Sequence, residues 1–329
     1  MKGSAVAFML VVLASACAPT VQRAGPPVTQ PLLGDAGFHT ADGEVLPFRR
    51  WTPREGKPRA VILALHGFND YSNFFDEPGK FLAGQGIVSY AYDQRGFGKA
   101  PHPGVWAGVP AMTGDVKQMV ALLRKQHPGA PLYLLGESMG GAVVIVTMAG
   151  EAPPDVDGII LTAPAVWGRE TMPWYQRWSL WLGARVIPWA TVTGRHLKIQ
   201  ASDNIEMLRA LGRDPLVIKE TRIDAIHGLV DLMDAALASA VRIDTQGLIV
   251  YGKHDEIIPK DPTRMMIESL PPKTREKIRV AFYENGYHML LRDLTANVLW
   301  QDLVHWIDDP KSPLPSGADR RAGLLLAKD

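Results

Sequence analysis

Short apolar runs alternate with longer amphipathic stretches from Phe38 onward. The short runs are rich in β-branched and aliphatic residues, as in strands that are buried on both faces of a sheet. The clearest strand candidates are Ala60–Leu65, Ile87–Tyr92, Leu132–Leu135, Gly158–Thr162, Leu248–Tyr251 and Ile278–Phe282. Helices are expected over Asn73–Gln85, Thr113–Gln126, Gly140–Ala149, Pro262–Leu270 and Thr295–Trp306. This alternation predicts an α/β fold with a mostly parallel sheet and helices on both faces.

The alternation is interrupted over about 167–243, where the sequence becomes helical and rich in tryptophan. A strand pattern returns only at Leu248. We therefore expect this interval to form a helical cap inserted into the sheet domain.

Within the cap, Trp174, Trp178 and Trp181 recur at the i, i+4 and i+7 spacing of one helix face. Tryptophan favours membrane interfaces and pockets that hold acyl chains, so these rings are candidate substrate-binding residues. The same spacing is also expected of a helix that packs the cap onto the body. The sequence leaves both interpretations open.

The N-terminus carries the pattern of an export signal. Lys2 precedes the ten-residue apolar run Ala5–Ala14, and the small residues Ser15 and Ala16 lead into Cys17. Ten residues cannot cross a hydrocarbon core of about 30 Å as a helix, which favours a cleavable signal over residues 1–16. Residues 13–17 resemble a bacterial lipobox, which implies that a lipid is attached to Cys17.

We therefore expect an exported, membrane-anchored lipoprotein, placed in the outer membrane if the source is Gram-negative, because Ala18 stands where aspartate would retain it. An ordinary signal peptide would instead give a periplasmic or secreted protein. Residues 17–34 contain four prolines and predict a flexible tether. Residues 310–329 predict a flexible tail, which leaves 35–309 as the folded domain.

Charge and cysteine content remove several classes of function. The chain has 35 Lys and Arg against 34 Asp and Glu, a net charge of +1, so no global field favours nucleic acid as a partner. The single cysteine excludes a disulfide framework and a cysteine-rich metal site. With no H-E-x-x-H or paired histidine spacing, we expect neither a metal nor another cofactor.

The strongest chemical signal is the sequence Gly136-Glu137-Ser138-Met139-Gly140, which lies between a predicted strand and a predicted helix. This G-x-S-x-G pattern is typical of a sharp turn that exposes a nucleophilic serine at the carboxyl edge of a sheet. Glycines on either side let the helix cross the strand closely. The context predicts Ser138 as a nucleophile.

A serine nucleophile needs a base, and the base needs a third group to orient it. Asp255 follows one late strand and His288 follows the next. The order Ser138, Asp255, His288 is the order of nucleophile, acid and base in α/β-hydrolases. Glu256 adjoins Asp255 and remains an alternative acid.

An oxyanion hole is expected from two backbone N–H groups. Phe68 follows the strand Ala60–Leu65, and Met139 follows the nucleophile. In such enzymes these two positions donate hydrogen bonds to the developing oxyanion. His66 precedes them and is predicted to be structural.

The whole pattern resembles the monoglyceride lipase and lysophospholipase branch of the α/β-hydrolases. The resemblance runs from about Phe38 to Asp309 and departs from the family only after Gly98, where Lys99 and Ala100 follow. The motifs that carry it are His66-Gly67-Phe68, Asp93-Gln94-Arg95-Gly96-Phe97-Gly98, Gly136–Gly141, Asp214-Pro215-Leu216-Val217, Gly252–Asp255 and Gly286-Tyr287-His288. The resemblance implies an α/β-hydrolase fold with a helical cap after strand 6, and a serine hydrolase that cleaves a monoacylglycerol or lysophospholipid ester.

Two alternatives remain. The same Ser138, Asp255 and His288 could cleave a thioester or act as an aminopeptidase. A lipid-binding lipoprotein without turnover would keep the fold, but it would have no need of an intact triad. In each case the expected partners are a small acyl lipid and a membrane surface, reached through the lipidated N-terminus and the cap.

Overall fold

The structure is a computed structural model that describes residues 18–194 and 199–327. The signal segment and Cys17 lie outside the described residues. Within the described ranges, no helix has both the length and the apolar character needed to cross a membrane.

Strands and helices alternate along most of the chain. The strands are β1 (Leu32–Gly34), β2 (Gly37–His39), β3 (Val45–Leu46), β4 (Phe48–Trp51), β5 (Ala60–Leu65), β6 (Ile87–Tyr92), β7 (Leu132–Glu137), β8 (Gly158–Thr162), β9 (Thr191–Val192), β10 (Thr221–Arg222), β11 (Gly247–Gly252) and β12 (Ile278–Tyr283). The helices are α1 (Asp76–Gly84), α2 (Val109–Gln126), α3 (Met139–Met148), α4 (Trp174–Val186), α5 (Ile205–Arg213), α6 (Ile223–Ser239), α7 (Lys260–Ser269), α8 (Pro272–Arg275), α9 (Ala296–Asp308) and α10 (Ala322–Leu326).

Seven strands form the main sheet in the order β12-β11-β8-β7-β5-β6-β4. Only β4 runs antiparallel to its neighbour, so the predicted mostly parallel sheet is confirmed. The carboxyl ends of the six parallel strands meet at one edge of the sheet, which is where ligands bind in folds of this kind.

Hydrophobic cores lie on both faces of the sheet. Along β5, Val61, Leu63 and Leu65 pack into one core, whereas alternate residues such as Ile62 pack into the other. Helices α2, α3 and α6 cover the first face, and α1 and α9 cover the second. This burial on both faces explains why the parallel strands are largely apolar along their whole length.

The interval between β8 and β11 contains α4, α5, α6 and the short ribbon β9–β10. Helix α6 packs against both α3 of the body and α4. Along the chain, β8 is the fifth strand of the main sheet, after β4, β5, β6 and β7. The cap interval therefore begins after the fifth strand of this sheet.

Residues 18–34, the described part of the segment predicted as a flexible tether, make hydrogen bonds to the body. The N–H of Thr20 donates to Asp224 Oδ2 at 3.2 Å and that of Gln22 to the Trp106 carbonyl at 2.7 Å. The N–H of Val28 donates to the Ala41 carbonyl at 2.7 Å. Prolines interrupt regular structure before β1, but several N–H groups find acceptors on the body.

Residues 310–327, the described part of the predicted flexible tail, pack against the body. Leu314 and Leu325 are buried, and the Ala318 carbonyl accepts a hydrogen bond of 2.9 Å from the N–H of Phe282. Because β12 is an edge strand, its outer N–H groups need partners, and this segment supplies one.

Candidate active site

Ser138 lies on a strained turn between β7 and α3, with φ 52° and ψ −114°. The turn requires glycine on both sides. A Cβ on Gly136 would lie 2.4 Å from the Gly140 carbonyl oxygen, and a Cβ on Gly140 would lie 2.2 Å from that of Leu65. The chain therefore packs backbone against backbone around the serine, which fixes its position at the carboxyl edge of the sheet.

The predicted acid and base are joined by a hydrogen bond. His288 Nδ1 lies 2.9 Å from Asp255 Oδ2, and both side chains are buried. The other carboxylate oxygen, Oδ1, accepts the N–H groups of Ile257 and Ile258, each at 2.9 Å. Both carboxylate oxygens thus have fixed partners, so Asp255 holds the imidazole in one orientation.

Glu256, the alternative acid, has a different partner. Its Oε2 accepts the N–H of Gln200, a residue of the cap, at 2.8 Å. The structure therefore places Asp255, and not Glu256, against His288.

The surroundings of His288 favour its protonated form. Burial alone lowers the pKa of His288, but the charge of Asp255 and its hydrogen bond raise it, and Glu137 raises it further. Arg292 acts in the opposite direction. The net pKa lies above the ordinary histidine value, so an imidazolium formed during a reaction would be stabilised.

His66 is fully buried and has two fixed backbone partners, one at each ring nitrogen. Its Nε2 accepts the N–H of Gln94 at 3.0 Å, and its Nδ1 lies 2.8 Å from the Gly67 carbonyl. Burial lowers the pKa of His66. Both nitrogens are occupied, which fits the structural role predicted for it.

The two predicted oxyanion donors end up at the same edge of the sheet. Phe68 follows β5, and its ring packs against those of Phe97 and Trp106 at centroid distances of 5.6 and 6.3 Å. Met139 is the first residue of α3. The first N–H groups of a helix have no partner within it, so that of Met139 is suited to bind an anion.

The cap contacts the loop that follows β5, residues 66–70, which we call the oxyanion loop. Ile218 donates its N–H to the Asn69 carbonyl at 3.0 Å, and the Asn69 side chain donates to Thr221 Oγ1 at 2.7 Å. Asn69 has a positive φ of 66°. The cap therefore helps to hold this loop in a backbone conformation that few residues adopt.

The cap also contacts residues 286–293, the base loop, which follows β12. Met289 donates its N–H to the Ala201 carbonyl at 2.9 Å, and Ser202 donates its hydroxyl to Asp293 Oδ1 at 2.6 Å. Burial raises the pKa of Asp293 to about 6. Cap segments thus flank the site at both the oxyanion loop and the base loop.

The tryptophans of α4 face outward. Trp174, Trp178 and Trp181 are 72%, 64% and 45% exposed, and the rings of Trp178 and Trp181 pack on each other at 5.7 Å. We call these three residues the aromatic face. Their exposure disfavours the interpretation that they pack the cap onto the body.

The sequence analysis missed a buried ion cluster of Asp70, Glu137 and Arg292. The Arg292 guanidinium lies 2.8 Å from a carboxylate oxygen of each acid. Glu137 could have been flagged, because a charged residue at the end of an apolar strand needs a buried partner. No sequence pattern near Glu137 identifies Arg292 as that partner.

Together these groups form a serine on a strained turn, a histidine oriented by a carboxylate, and two backbone donors at one edge of a sheet. Such an arrangement can activate a hydroxyl for attack on an acyl carbon. In the part of the chain that the structure covers, no three His, Cys, Asp or Glu side chains are grouped to hold a metal ion.

Comparison with known families finds a match over residues 56–295 to the family described as serine aminopeptidase, S33. Monoglyceride lipase of Mus musculus is 28% identical over 273 residues, covering 81% of this chain and 88% of that protein. Monoacylglycerol lipase of Mycolicibacterium smegmatis is 23% identical over 269 residues, covering 78% and 90%.

Solved structures give the same result for the fold. A soluble variant of monoglyceride lipase from Saccharomyces cerevisiae, in complex with a substrate analog, superposes with a TM-score of 0.71 at 21% identity, covering 87% of this chain and 97% of that chain. The Paleococcus ferrophilus monoacylglycerol lipase gives 0.67 at 22% identity, covering 80% and 98%. At this identity the likeness concerns the fold, and it confirms the fold expected from the sequence.

Proposed function

The chain belongs to the serine aminopeptidase S33 family of α/β-hydrolases, and from this premise we propose that it cleaves the carboxylic ester of a monoacylglycerol or a lysophospholipid. The hydrogen bond of 2.9 Å between His288 Nδ1 and Asp255 Oδ2 carries the proposal. It leaves Nε2 as the nitrogen that can take a proton from Ser138. Relatives named as monoglyceride lipases support an acylglycerol as substrate.

The reaction has two halves. Ser138 Oγ attacks the ester carbonyl carbon while His288 Nε2 takes the hydroxyl proton, and the N–H groups of Phe68 and Met139 stabilise the oxyanion. His288 then returns the proton to the departing alcohol, which leaves an acyl group on Ser138. A water molecule gives a proton to His288 as it attacks this acyl-enzyme, and His288 passes that proton to Ser138 Oγ as the fatty acid leaves.

A substrate panel tests the proposal. We expect the wild type to hydrolyse monoacylglycerols or lysophospholipids faster than acyl-CoA thioesters and aminoacyl anilides at equal concentration. Ser138→Ala is expected to lower kcat on the order of a million-fold, since it removes the nucleophile. Preference for a thioester or an anilide would overturn the assignment of the substrate, and full activity of Ser138→Ala would overturn the mechanism.

We also propose that the protein works at a membrane surface. The aromatic face is exposed on α4, a helix with two arginines and no acidic residue. The guanidinium of Arg185 lies 4.4 Å from the ring centroid of Trp181. Tryptophan rings and arginines of this kind suit the interface between acyl chains and phosphate groups.

The path of the N-terminal segment also supports a position at the membrane surface, because this segment runs close to the end of α4. Thr20 is bonded to Asp224 at the start of α6, and the N–H of Asp224 is itself bonded to the Pro188 carbonyl, just after α4. Cys17 is three residues before Thr20 in the sequence, and a chain of three residues spans at most about 11 Å. A lipid on Cys17 and the aromatic face would then enter one bilayer, and two such signals give stable anchoring.

Cell fractionation and vesicle assays test this membrane proposal. Cys17→Ser is expected to lose a metabolic fatty-acid label and to move activity out of the membrane fraction. Trp178→Ala is expected to slow hydrolysis of monoacylglycerol in phosphatidylglycerol vesicles but not of a water-soluble p-nitrophenyl ester. Equal rates for Trp178→Ala and wild type on vesicles would overturn the role of the aromatic face.

A further inference from the structure

Arg292 joins the three loops that carry the reacting groups. Its Nη2 lies 2.8 Å from Asp70 Oδ2 and 2.8 Å from Glu137 Oε1. Each of the three side chains is less than a tenth exposed. The contacts link the base loop to the oxyanion loop and to the turn that carries Ser138.

Each partner stands next to a group that the reaction needs. Asp70 is two residues after Phe68, Glu137 immediately precedes Ser138, and Arg292 is four residues after His288. We propose that Arg292 is a positioning residue that fixes the oxyanion donor, the nucleophile and the base relative to one another. This inference rests on the proposed function, because it assigns Arg292 a role in the same site.

A purely stabilising role explains the cluster less well. Removing three charged groups from water carries a large desolvation cost, and apolar residues of similar volume often stabilise a fold equally well. The cluster also lies where segments from three different strands meet. A rigid link at this point keeps the reacting groups in the geometry that attack requires.

The cluster also acts on the base electrostatically. The charged groups that face His288 are Asp255 and Glu137, which raise its pKa, and Arg292, which lowers it. Asp70 contributes less to the pKa of His288 than these three groups do. Glu137 and Arg292 thus act on the base with opposite sign, and each can be changed separately.

The central experiment compares two substitutions of Arg292. Both variants are assayed on a water-soluble ester that the wild type hydrolyses. Both observed contacts use one nitrogen, so the single ammonium of Arg292→Lys can replace them, whereas Arg292→Met cannot. We expect Arg292→Met to lower kcat 10- to 100-fold with KM changed less than about threefold, because displaced loops slow the chemical step more than binding. Arg292→Lys is expected to recover most of kcat.

Arg279→Met is the matched control. Arg279 lies on β12, the strand that precedes the base loop, and pairs with Asp319 at 2.7 Å, away from the loops that carry the reacting groups. It is expected to leave kcat within about twofold of the wild type. A folded Arg292→Met protein with wild-type kcat would overturn the proposal, and so would an equal loss of kcat in Arg279→Met.

Arg292→Met leaves two buried carboxylates without their cation, so it could fail to fold. The triple variant Asp70→Asn, Glu137→Gln, Arg292→Met removes all three charges at nearly constant volume. We expect the triple variant to fold by circular dichroism and to keep the kcat defect. Wild-type kcat in the folded triple variant would overturn the proposal.

The pH profile adds a readout that a structural role would not move. Glu137→Gln removes a charge that raises the pKa of His288, so the acid limb of kcat/KM is expected to shift to lower pH. Asp70→Asn removes the other carboxylate of the cluster and is expected to shift the acid limb less than Glu137→Gln does. An unchanged acid limb of kcat/KM in Glu137→Gln would overturn the electrostatic part of the proposal. A wild type without any esterase activity would instead refute the proposed function.

Discussion

At the scale of single residues, the two oxygens of Asp255 have different partners. Oδ1 accepts two backbone N–H groups, and Oδ2 faces His288 Nδ1. This division fixes the tautomer, since Nδ1 carries the hydrogen and Nε2 is left with a lone pair for the serine proton.

Asp255→Asn tests this division. The amide oxygen is expected to take the Oδ1 position, because two N–H groups point at it, so the amide NH₂ would donate to His288 Nδ1. The proton would then move to Nε2, and kcat is expected to fall about 10⁴-fold. Glu256→Gln is the control, and a comparable loss in that variant would contradict the assignment of the acid.

The pH dependence of the wild type follows from the same contact. His288 must be neutral to accept a proton, and its pKa is raised above the ordinary value of 6.5. Activity is therefore expected to fall as pH drops through a pKa higher than 6.5, and the residual activity of Asp255→Asn should have its acid limb at lower pH. Profiles of kcat/KM against pH measure both limbs.

At the scale of elements, the turn between β7 and α3 is built from close backbone contacts. Gly140→Ala would place a Cβ 2.2 Å from the Leu65 carbonyl oxygen, so a rigid part of the backbone must move. We expect a loss of about 1–3 kcal/mol in the free energy of unfolding, together with loss of activity.

Gly114→Ala is the matched control for that prediction. Gly114 lies inside α2, and no atom lies within 4 Å of the position of its added Cβ. Alanine is expected to stabilise the helix by about 0.5–1 kcal/mol and to leave activity unchanged. Thermal unfolding of both variants gives the comparison, and equal destabilisation would contradict it.

The elements that the sequence predicted well are those whose signal is local. The run Gly158–Thr162 is a strand at its predicted bounds, because its apolar residues are buried on both faces of the sheet. The helix expected over Asn73–Gln85 begins instead as a 3₁₀ turn at Ser72, and α1 starts only at Asp76. Helix boundaries depend on caps and loop contacts, which periodicity does not report.

At the scale of the whole molecule, the C-terminal segment protects the edge of the sheet. Leu325 is fully buried on α10, whereas its neighbour Leu324 is 51% exposed. The proline, serine and charged residues of this segment predicted a loose tail. The burial of its leucines depends on the position of β12 at the edge of the sheet, which composition does not report.

This pair of leucines provides a matched test. Leu325→Ala is expected to lower the free energy of unfolding by about 2–5 kcal/mol, since it opens a cavity between the segment and the sheet. Leu324→Ala is expected to change it by less than about 0.5 kcal/mol. Urea unfolding measures both, and similar values for the two variants would contradict the packing described for the segment.

In the candidate site, residues that belong to local sequence motifs could be predicted, whereas contacts between residues far apart in the chain could not. Ser138, Asp255 and His288 could be predicted because each follows a strand in a fixed chain order. Glu256 stays an alternative to Asp255 in the sequence, because adjacent residues share one sequence context and only side-chain direction separates them. The contact between Arg292 and Asp70 spans most of the chain, and no local pattern reports such a distance.

Labelling with a fluorophosphonate tests the central claim most directly, because the probe reacts only with a serine activated by its base. The wild-type protein should take up one probe, mapped by mass spectrometry to the peptide that contains Ser138, and His288→Ala should react very slowly. An unlabelled wild type, or a Ser138→Ala protein labelled at the wild-type rate, would contradict the account.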